Sequence, residues 1–323
     1  MACDIIMVTW NEPEMTARAL ESIKLNANHP YRLIVVDNAS DMETVDFLEQ
    51  AARSGEFGEM VLIRNAENRG WVKGANQGLL CSEAPYVCLV NNDILAGPGW
   101  LRNMIRTMEA LPDVGLANPR GDIPKENERV VDVDTYAREL AVSQAGRFTE
   151  LDFCSGYCLM IRRAVIEKIG VFDEVYETGY YEDNDYSRRA VQTGYHCIRC
   201  HDAFVLHVGG KSFGKMPERK RQLVERNRAI FEQRWGKRHR YLVLAKYAMA
   251  EELLEAARRG DIVYVVENAY ANPRLMAREH ANIKFLSSWF RRVSSALYFL
   301  FSAYYLRYKK RIDSVYIKFE GQA

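Results

Sequence analysis

A chain of 323 residues, 48% hydrophobic and 27% charged, is long enough for one large domain or two ordinary ones and can bury a sizeable core. Its formal net charge of +1 provides no global field for nucleic acid, so any basic surface must be local. Met1 to Thr9 lacks the basic region and cleavage site of a signal peptide, no run reaches the ~20 apolar residues of a membrane span, and seven cysteines, an odd number, point to reduced thiols in a cytoplasmic compartment.

Cys3 to Val8 reads as a first strand that closes in Thr9-Trp10-Asn11. A helix follows near Glu12-Pro13-Glu14, where proline and acids suit a first turn, and Met15, Ala19, Leu20 and Ile23 give it an apolar stripe. Arg32 to Val36 predicts a second strand ending in Asp37-Asn38-Ala39-Ser40, and Met42 to Arg53 a second helix. Met60 to Ile63 is a third strand, Asn65 to Gly70 a polar turn, and Trp71 to Leu80 a helix rich in small residues. Tyr86 to Val90 then runs without a break into Asn91-Asn92-Asp93. Such a run suits a strand buried on both faces, with its polar end at the mouth of an open α/β sheet, where ligands bind. With Gly97-Pro98-Gly99 close behind, the same residues also read as a turn. Strand and helix alternating at this spacing predict βαβ units and a parallel sheet.

A helix at Leu101 to Ala110 and a strand at Val114 to Asn118 come next, and Gly121 to Thr149 reads as an irregular insertion or lid. Phe153 to Ile161 is strand-like, with Gly156 where backbone approaches a ligand closely, and Ala164 to Ile169 is a short helix stopped by Gly170. Glu182, Asp183 and Asp185 then open a helix after the aromatic pair Tyr180-Tyr181. Asp185 and Arg189 are helical partners at i,i+4 and belong to structure. Glu182 and Asp183 have no such partner, and a carboxylate beside aromatic rings at a helix start suits a general base. His196-Cys197-Ile198-Arg199-Cys200-His201 has a zinc-like spacing, but without a second C-x-x-C it reads better as a strand. His207 ends another apolar strand before Gly209-Gly210.

Three strands thus end in Thr9-Trp10-Asn11, Asp37-Asn38 and Asn91-Asn92-Asp93, which adjacent parallel strands would bring to one edge. No G-x-G-x-x-G follows the first strand and no P-loop occurs, so the crevice is lined by side chains, with a carboxylate suited to Mg²⁺ or Mn²⁺.

In this order T-W-N, V-D-N-A-S, N-x-G-W-x-x-G-x-N-x-G, N-N-D, E-D-x-D-x-x-x-R and H-x-G-G-x-S resemble the family 2 glycosyltransferases, over about residues 3 to 235. The resemblance implies a GT-A-type, Rossmann-like, mostly parallel sheet flanked by helices. It implies an inverting, metal-dependent enzyme that moves a sugar from a nucleotide-sugar donor to a hydroxyl of a glycan or lipid-linked acceptor. Bacterial rhamnosyl- and hexosyltransferases of surface polysaccharides are among its members. By position, Thr9, Asn11 and Asp37, with Trp10 between the first two, match the residues around base and ribose. Asn68, Gly70, Lys73 and Gly74 match the loop beside the nucleotide, and Asn92 lies in the metal motif. Asp93 matches the last acid of that motif and His207 a metal ligand. Asp183 matches the catalytic base and Glu182 its partner. Gly156 lies where the donor sugar passes, and Trp100 where an acceptor would stack. Asn91 and Asn92 depart from the usual D-x-D, and amides are poorer ligands for hard cations. The rival readings are a sugar nucleotidyltransferase, which would want a Gly- and Lys/Arg-rich loop after its first strand, and a non-catalytic nucleotide-sugar or glycan-binding module.

The resemblance leaves out the end of the chain, which from about Tyr241 reads as mainly helical, with Ala-rich and Glu/Arg-rich turns through Arg259, so the expected division is a catalytic domain over 1–238 and a helical C-terminal extension over 239–323. Residues 290–311 carry basic residues at both ends of a short apolar and aromatic stretch. They read either as a terminal helix packed on the catalytic domain or on a second copy in a homodimer, or as an interfacial helix in peripheral contact with an anionic membrane.

Overall fold

Every residue of the first strand, β1 (Cys3–Thr9), is buried, and the two faces of the strand show why. Cys3, Ile5 and Met7 join a cluster with Ala19, Leu20 and Ile23 of α1 (Pro13–Asn26) and with Trp100, Leu101 and Met104 further on. Ile6 and Val8 face the other way. There Gly74 and Gly78 let a helix approach so closely that a Cβ on Gly74 would lie 2.9 Å from Val8 and one on Gly78 would overlap Ile6. A strand covered on both faces needs a continuous apolar run, which is the pattern found.

The computed structural model describes residues 3–121, 132–209, 218–244, 250–266, 279–286 and 314–317. The chain divides into one unit of Met1–Phe148 and Phe153–Phe231 and a second of Thr149–Asp152 and Glu232–Ala323. After α1 come β2 (Arg32–Asp37), α2 (Met42–Ser54), β3 (Met60–Arg64), α3 (Gly70–Cys81), β4 (Tyr86–Asn91), β5 (Ile94–Ala96), α4 (Trp100–Ala110) and β6 (Val114–Arg120). Then follow α5 (Val133–Ser143), β7 (Phe148–Leu151), β8 (Cys158–Arg162), α6 (Arg163–Ile169), α7 (Glu182–Gln192), β9 (His196–His207) and α8 (Glu218–Trp235). The sheet of the first unit runs β3-β2-β1-β4-β8-β6-β9-β5. Neighbours from β3 to β4 are parallel, β8 is antiparallel to β4 and β6, β6 and β9 are parallel, and β5 is antiparallel to β9. This is the expected mixed α/β, mostly parallel sheet flanked by helices.

At the end of the sheet away from the polar strand ends, Asp4 is buried. It takes two hydrogen bonds from Arg32 and others from the Ser82 hydroxyl and the Glu83 and Ala84 N–H groups. Burial pushes its pKa up, but these donors outweigh burial and hold the carboxyl below its ordinary value.

Several local expectations change. The turn after β4 is confined to Asn92 and Asp93, and Ile94–Ala96 returns as a strand. Part of the supposed irregular insertion is α5, capped by Asp132 and anchored by Ala137 and Leu140 against Phe204. Residues 122–131 of that insertion lie outside the described residues. Residues 153–157 are not strand, and β8 begins at Cys158. Residues 196–207 form the single strand β9, with Cys197 and Cys200 buried as apolar side chains. All seven cysteines are free thiols.

The second unit is not the helical extension expected. Its described residues form β10 (Arg240–Leu244), α9 (Ala250–Arg258), β11 (Ile262–Val266), β12 (Ile283–Leu286) and β13 (Ser314–Ile317). The strands make a parallel sheet in the order β12-β11-β10-β13. β-Branched runs such as Ile262-Val263-Tyr264-Val265-Val266 favour strand, and Val263 and Val265 pack under Leu253, Leu254 and Ala257 of α9. Glu150, buried in the same unit, is held by Arg258. Residues 290–311, read as a packed or membrane-lying helix, lie outside the described residues.

Candidate active site

The sheet brings the three polar strand ends together. Thr9 lies opposite Asp37, Val8 lies opposite Asn91, and the Asn38 N–H donates to the Thr9 carbonyl at 2.9 Å. Their side chains largely satisfy one another. The Asn92 amide donates to the hydroxyls of Thr9 (3.2 Å) and Thr16 (3.1 Å), and the Asp37 carboxylate accepts the Ser40 N–H and lies 3.7 Å from Arg64. Asn11, at φ 58°, donates its N–H to Ser40 and accepts the Asp41 N–H on its side chain. Thr9 and Asp37 are therefore buried, whereas Trp10 between these strands' loops is 57% exposed. Asn68 shapes the neighbouring turn by accepting from the Gly70 N–H and the Asn38 amide, and Gly70 takes φ 80° there. Lys73 is half-buried on α3.

The second feature is a pair. β4 ends at Asn91, the chain turns at Asn92 and Asp93, and β5 then places Ile94 opposite His207 of β9. Asp93 Oδ1 and His207 Nε2 come within 3.0 Å. The Asn91 amide nitrogen stands 3.2 Å from the same Nε2. If Nε2 accepts that N–H it has no proton for Asp93, and Oδ1 is a buried atom without a hydrogen-bond donor among the described residues. In that tautomer a cation between the two atoms relieves the contact at 3.0 Å, whereas a proton on Nε2 makes it an ion pair. The spacing matches adjacent ligands around an octahedral ion with bonds of about 2.1 Å. Gly209 keeps the position open, because a Cβ there would overlap Asp93 Oδ2. Among the described residues no group of three or more His, Cys, Asp or Glu side chains gathers for a metal. Asp93 and His207 would thus supply two ligands, leaving the others to a substrate or water, as Mg²⁺-type sites commonly do. The two asparagines of the motif are engaged elsewhere, Asn92 with threonines and Asn91 with His207.

The third feature is the start of α7. Glu182 is buried among Gly156, Gly179 and the ring of Trp71, and its Oε2 has no hydrogen-bond partner among the described residues. Burial, and secondarily the charge of Asp183, push its pKa to about 8. Asp183 is also raised by burial, but its oxygens accept the N–H groups of Gly156 (3.1 Å) and Asn184 (2.8 Å), which pull the other way. Burial raises both acids, so they titrate as a pair, and the two N–H donors favour its negative charge on Asp183 over Glu182. Asp185 is structural, as its spacing predicts: Arg189 holds it at 2.9 Å while also donating to the Ile169 and Val171 carbonyls.

A single segment joins the second and third features. Gly156 donates to Asp183, and the next residue, Tyr157, stacks on the His207 ring at 5.3 Å and accepts the Asn91 N–H on its carbonyl. The Asp93–His207 pair and the Glu182–Asp183 pair thus share one wall. A Cβ on Gly156 would lie 3.2 Å from the Trp71 ring, a tight contact that the bare glycine avoids. Sequence reasoning missed Tyr157, Trp71 and Gly209, although the G-Y, G-W and G-G dipeptides were in view.

Two expected site residues are elsewhere. Trp100 is 0% exposed in the core cluster, so it has no face for an acceptor. Gly74 serves the contact between α3 and β1, where its missing side chain faces Val8 and Val36.

A family model described as "Glycosyl transferase family 2" matches residues 4–170. An N-acetylglucosaminyl-diphospho-decaprenol L-rhamnosyltransferase of Mycobacterium tuberculosis is 23% identical over 247 residues, 66% of this chain and 78% of that protein. Among solved structures, GalNAc-T7 with UDP, GalNAc and Mn²⁺ aligns with a TM-score of 0.54 at 14% identity over 64% of this chain, which spans only 44% of that one. S. aureus TarS 1-349 in complex with UDP-GlcNAc aligns with a TM-score of 0.51 at 17% identity, over 72% of this chain and 67% of that one. The likeness to these two is one of fold, the GT-A arrangement.

Proposed function

The chain belongs to glycosyl transferase family 2, and we propose that this glycosyltransferase moves a sugar, with inversion, from a nucleotide-diphosphate sugar to a hydroxyl of a glycan or lipid-linked acceptor. The observation that carries the reading is the shared wall, on which Gly156 and Tyr157 set a carboxylate pair beside an Asp–His pair suited to a cation. Asp183 is the base. Its raised pKa makes it a better proton acceptor than an ordinary aspartate, and the N–H groups of Gly156 and Asn184 favour the pair's charge there over Glu182. As the acceptor oxygen bonds to the anomeric carbon, its proton passes to Asp183 and the bond to the diphosphate breaks. One base and no covalent intermediate mean a single displacement. Asp93 and His207 would hold Mg²⁺ or Mn²⁺, which when bound would supply positive charge for the departing diphosphate. Trp10, exposed at the strand ends, offers a ring to the base, with Asn11, Asn68, Gly70 and Lys73 around the nucleotide.

The mycobacterial relative, an N-acetylglucosaminyl-diphospho-decaprenol L-rhamnosyltransferase, favours a sugar-diphospho-lipid acceptor, and we place the reaction at the cytoplasmic face of a membrane, in the synthesis of surface glycoconjugates. Titration calorimetry of UDP, GDP and dTDP with Mn²⁺ tests the reading. Affinity for at least one should fall ~10-fold or more on adding EDTA, and again in Asp93→Ala, the metal contact being worth several kcal/mol at most. Nucleotide affinity indifferent to both would refute metal dependence. Release of nucleoside diphosphate from a nucleotide sugar would exclude a mere binding module.

A further inference from the structure

The turn that carries Glu182 and Asp183 adopts a conformation its own residues disfavour. Glu177, Tyr180 and Tyr181 have φ of 55°, 70° and 72°, and Gly179 has 130°. Left-handed backbone costs an L-residue about 1–2 kcal/mol at each position, so the turn persists only if its surroundings impose it.

α8 imposes it. Asn227 is 0% exposed, and its Nδ2 donates to the carbonyls of Tyr176 (2.9 Å), Gly179 (2.8 Å) and Tyr180 (3.1 Å). Arg226 fixes which way that amide points. Its Nη1 donates to Asn227 Oδ1 at 2.9 Å and to the Val175 carbonyl at 3.2 Å, and its Nη2 pairs with Glu177 at 3.0 Å. Phe231, one helical turn further on, packs against the Tyr181 ring at 5.4 Å. With its oxygen engaged, the amide has only its N–H edge to offer, and that edge meets carbonyls just before and within the strained run. The acids follow at once: Gly179 lies against both oxygens of Glu182, and the Asp185 N–H closes the first turn of α7 on the Tyr181 carbonyl at 2.9 Å.

We propose that Asn227 is a positioning residue for the transfer step: by holding the strained turn at 176–181 it sets Glu182 and Asp183 side by side against Gly156, without touching substrate. This rests on the reading of Asp183 as the base. A purely structural asparagine would move stability alone, whereas a positioning one moves turnover and its pH dependence and spares nucleotide binding.

The test compares Asn227→Ala, Arg226→Ala and Asp183→Asn in the full chain. Nucleotide sugars are screened with Mn²⁺ for release of the nucleoside diphosphate, and kcat, its acid limb and the Kd for that diphosphate are measured. Asn227→Ala is expected to lower kcat by about 10–100-fold, the scale of a small misplacement of a reacting group. Kd should stay within about twofold, and the acid limb should move toward lower pH as Asp183 gains solvent. Arg226→Ala, at a half-exposed side chain, should act in the same direction by less. Wild-type kcat and limb in Asn227→Ala overturn the proposal, as does a matching loss of diphosphate affinity. If Asn227→Ala does not fold, Arg226→Ala decides, and an unchanged kcat and limb there overturn it. An active Asp183→Asn refutes the base itself, while an inactive Asp183→Asn beside a wild-type-like Asn227→Ala refutes only the role of Asn227.

Discussion

Glu182→Gln should make the protein more stable as the pH rises. The buried carboxyl titrates at about 8, against 4.5 for an ordinary glutamate, because it is desolvated and sits next to Asp183. Between those values the folded state keeps a proton that the unfolded chain has released. Stability from this group is therefore full below about pH 4.5, falls as pH rises, and is lost above about 8. Each unit is worth about 1.4 kcal/mol, so the native state loses about 3 kcal/mol between pH 4.5 and 7. Glutamine has the shape of the protonated acid and no proton to lose. Thermal unfolding of wild type and variant, followed by circular dichroism from pH 5 to 8, should show nearly equal Tm at pH 5. The gap should widen to roughly 6–12 °C at pH 7, at about 2–4 °C per kcal/mol for a unit of this size. Parallel Tm curves across that range would mean that Glu182 is ionised and solvated in the folded protein, and the division of labour between the two acids would fall with it.

Asp183→Asn keeps the shape of the side chain, gives up one of its two N–H acceptors and cannot take a proton, so donor turnover should drop by ~10²–10⁴ while nucleotide affinity survives; an active Asp183→Asn with an inactive Glu182→Gln would reverse the two roles. Trp100→Ala should cost about 3–5 kcal/mol of stability, read as a lowered Tm, because it empties a core site. A wild-type Tm with a raised acceptor KM would restore the stacking role that the buried position denies.

Legibility followed the distance over which each contact acts. Cys3 to Val8 and Tyr86 to Val90 announce buried strands because burial on both faces demands an unbroken apolar run, and Asp93 stands out as a carboxylate at the end of one. Trp100 and Gly74 misled for a related reason. A tryptophan or a glycine in a helix has the same local signature whether it faces ligand or core, and only the neighbours, Val8 for Gly74 and the core cluster for Trp100, decide which. In the C-terminal unit the Ala-rich and Glu/Arg-rich turns through Arg259 predict helix, and they mask the short β-branched strands on either side of α9. Asn227 left no trace, because an asparagine within a polar helix looks solvated until the turn it clamps, about 50 positions earlier, is brought against it.

What the sequence by itself determined was the alternation of strand and helix, the polar strand ends and the chemical types gathered there, since period, burial pattern and turn residues act over a few positions. Only the tertiary structure decided which of these groups meet. His207 reaches Asp93 and Asn91 because β5 and β9 pair in one register, and Asp183 reaches the same wall through the Gly156 N–H. A register shifted by one residue would send each side chain to the other face of its strand, and nothing within the local sequence around Asp93 or His207 specifies the partner strand that sets it.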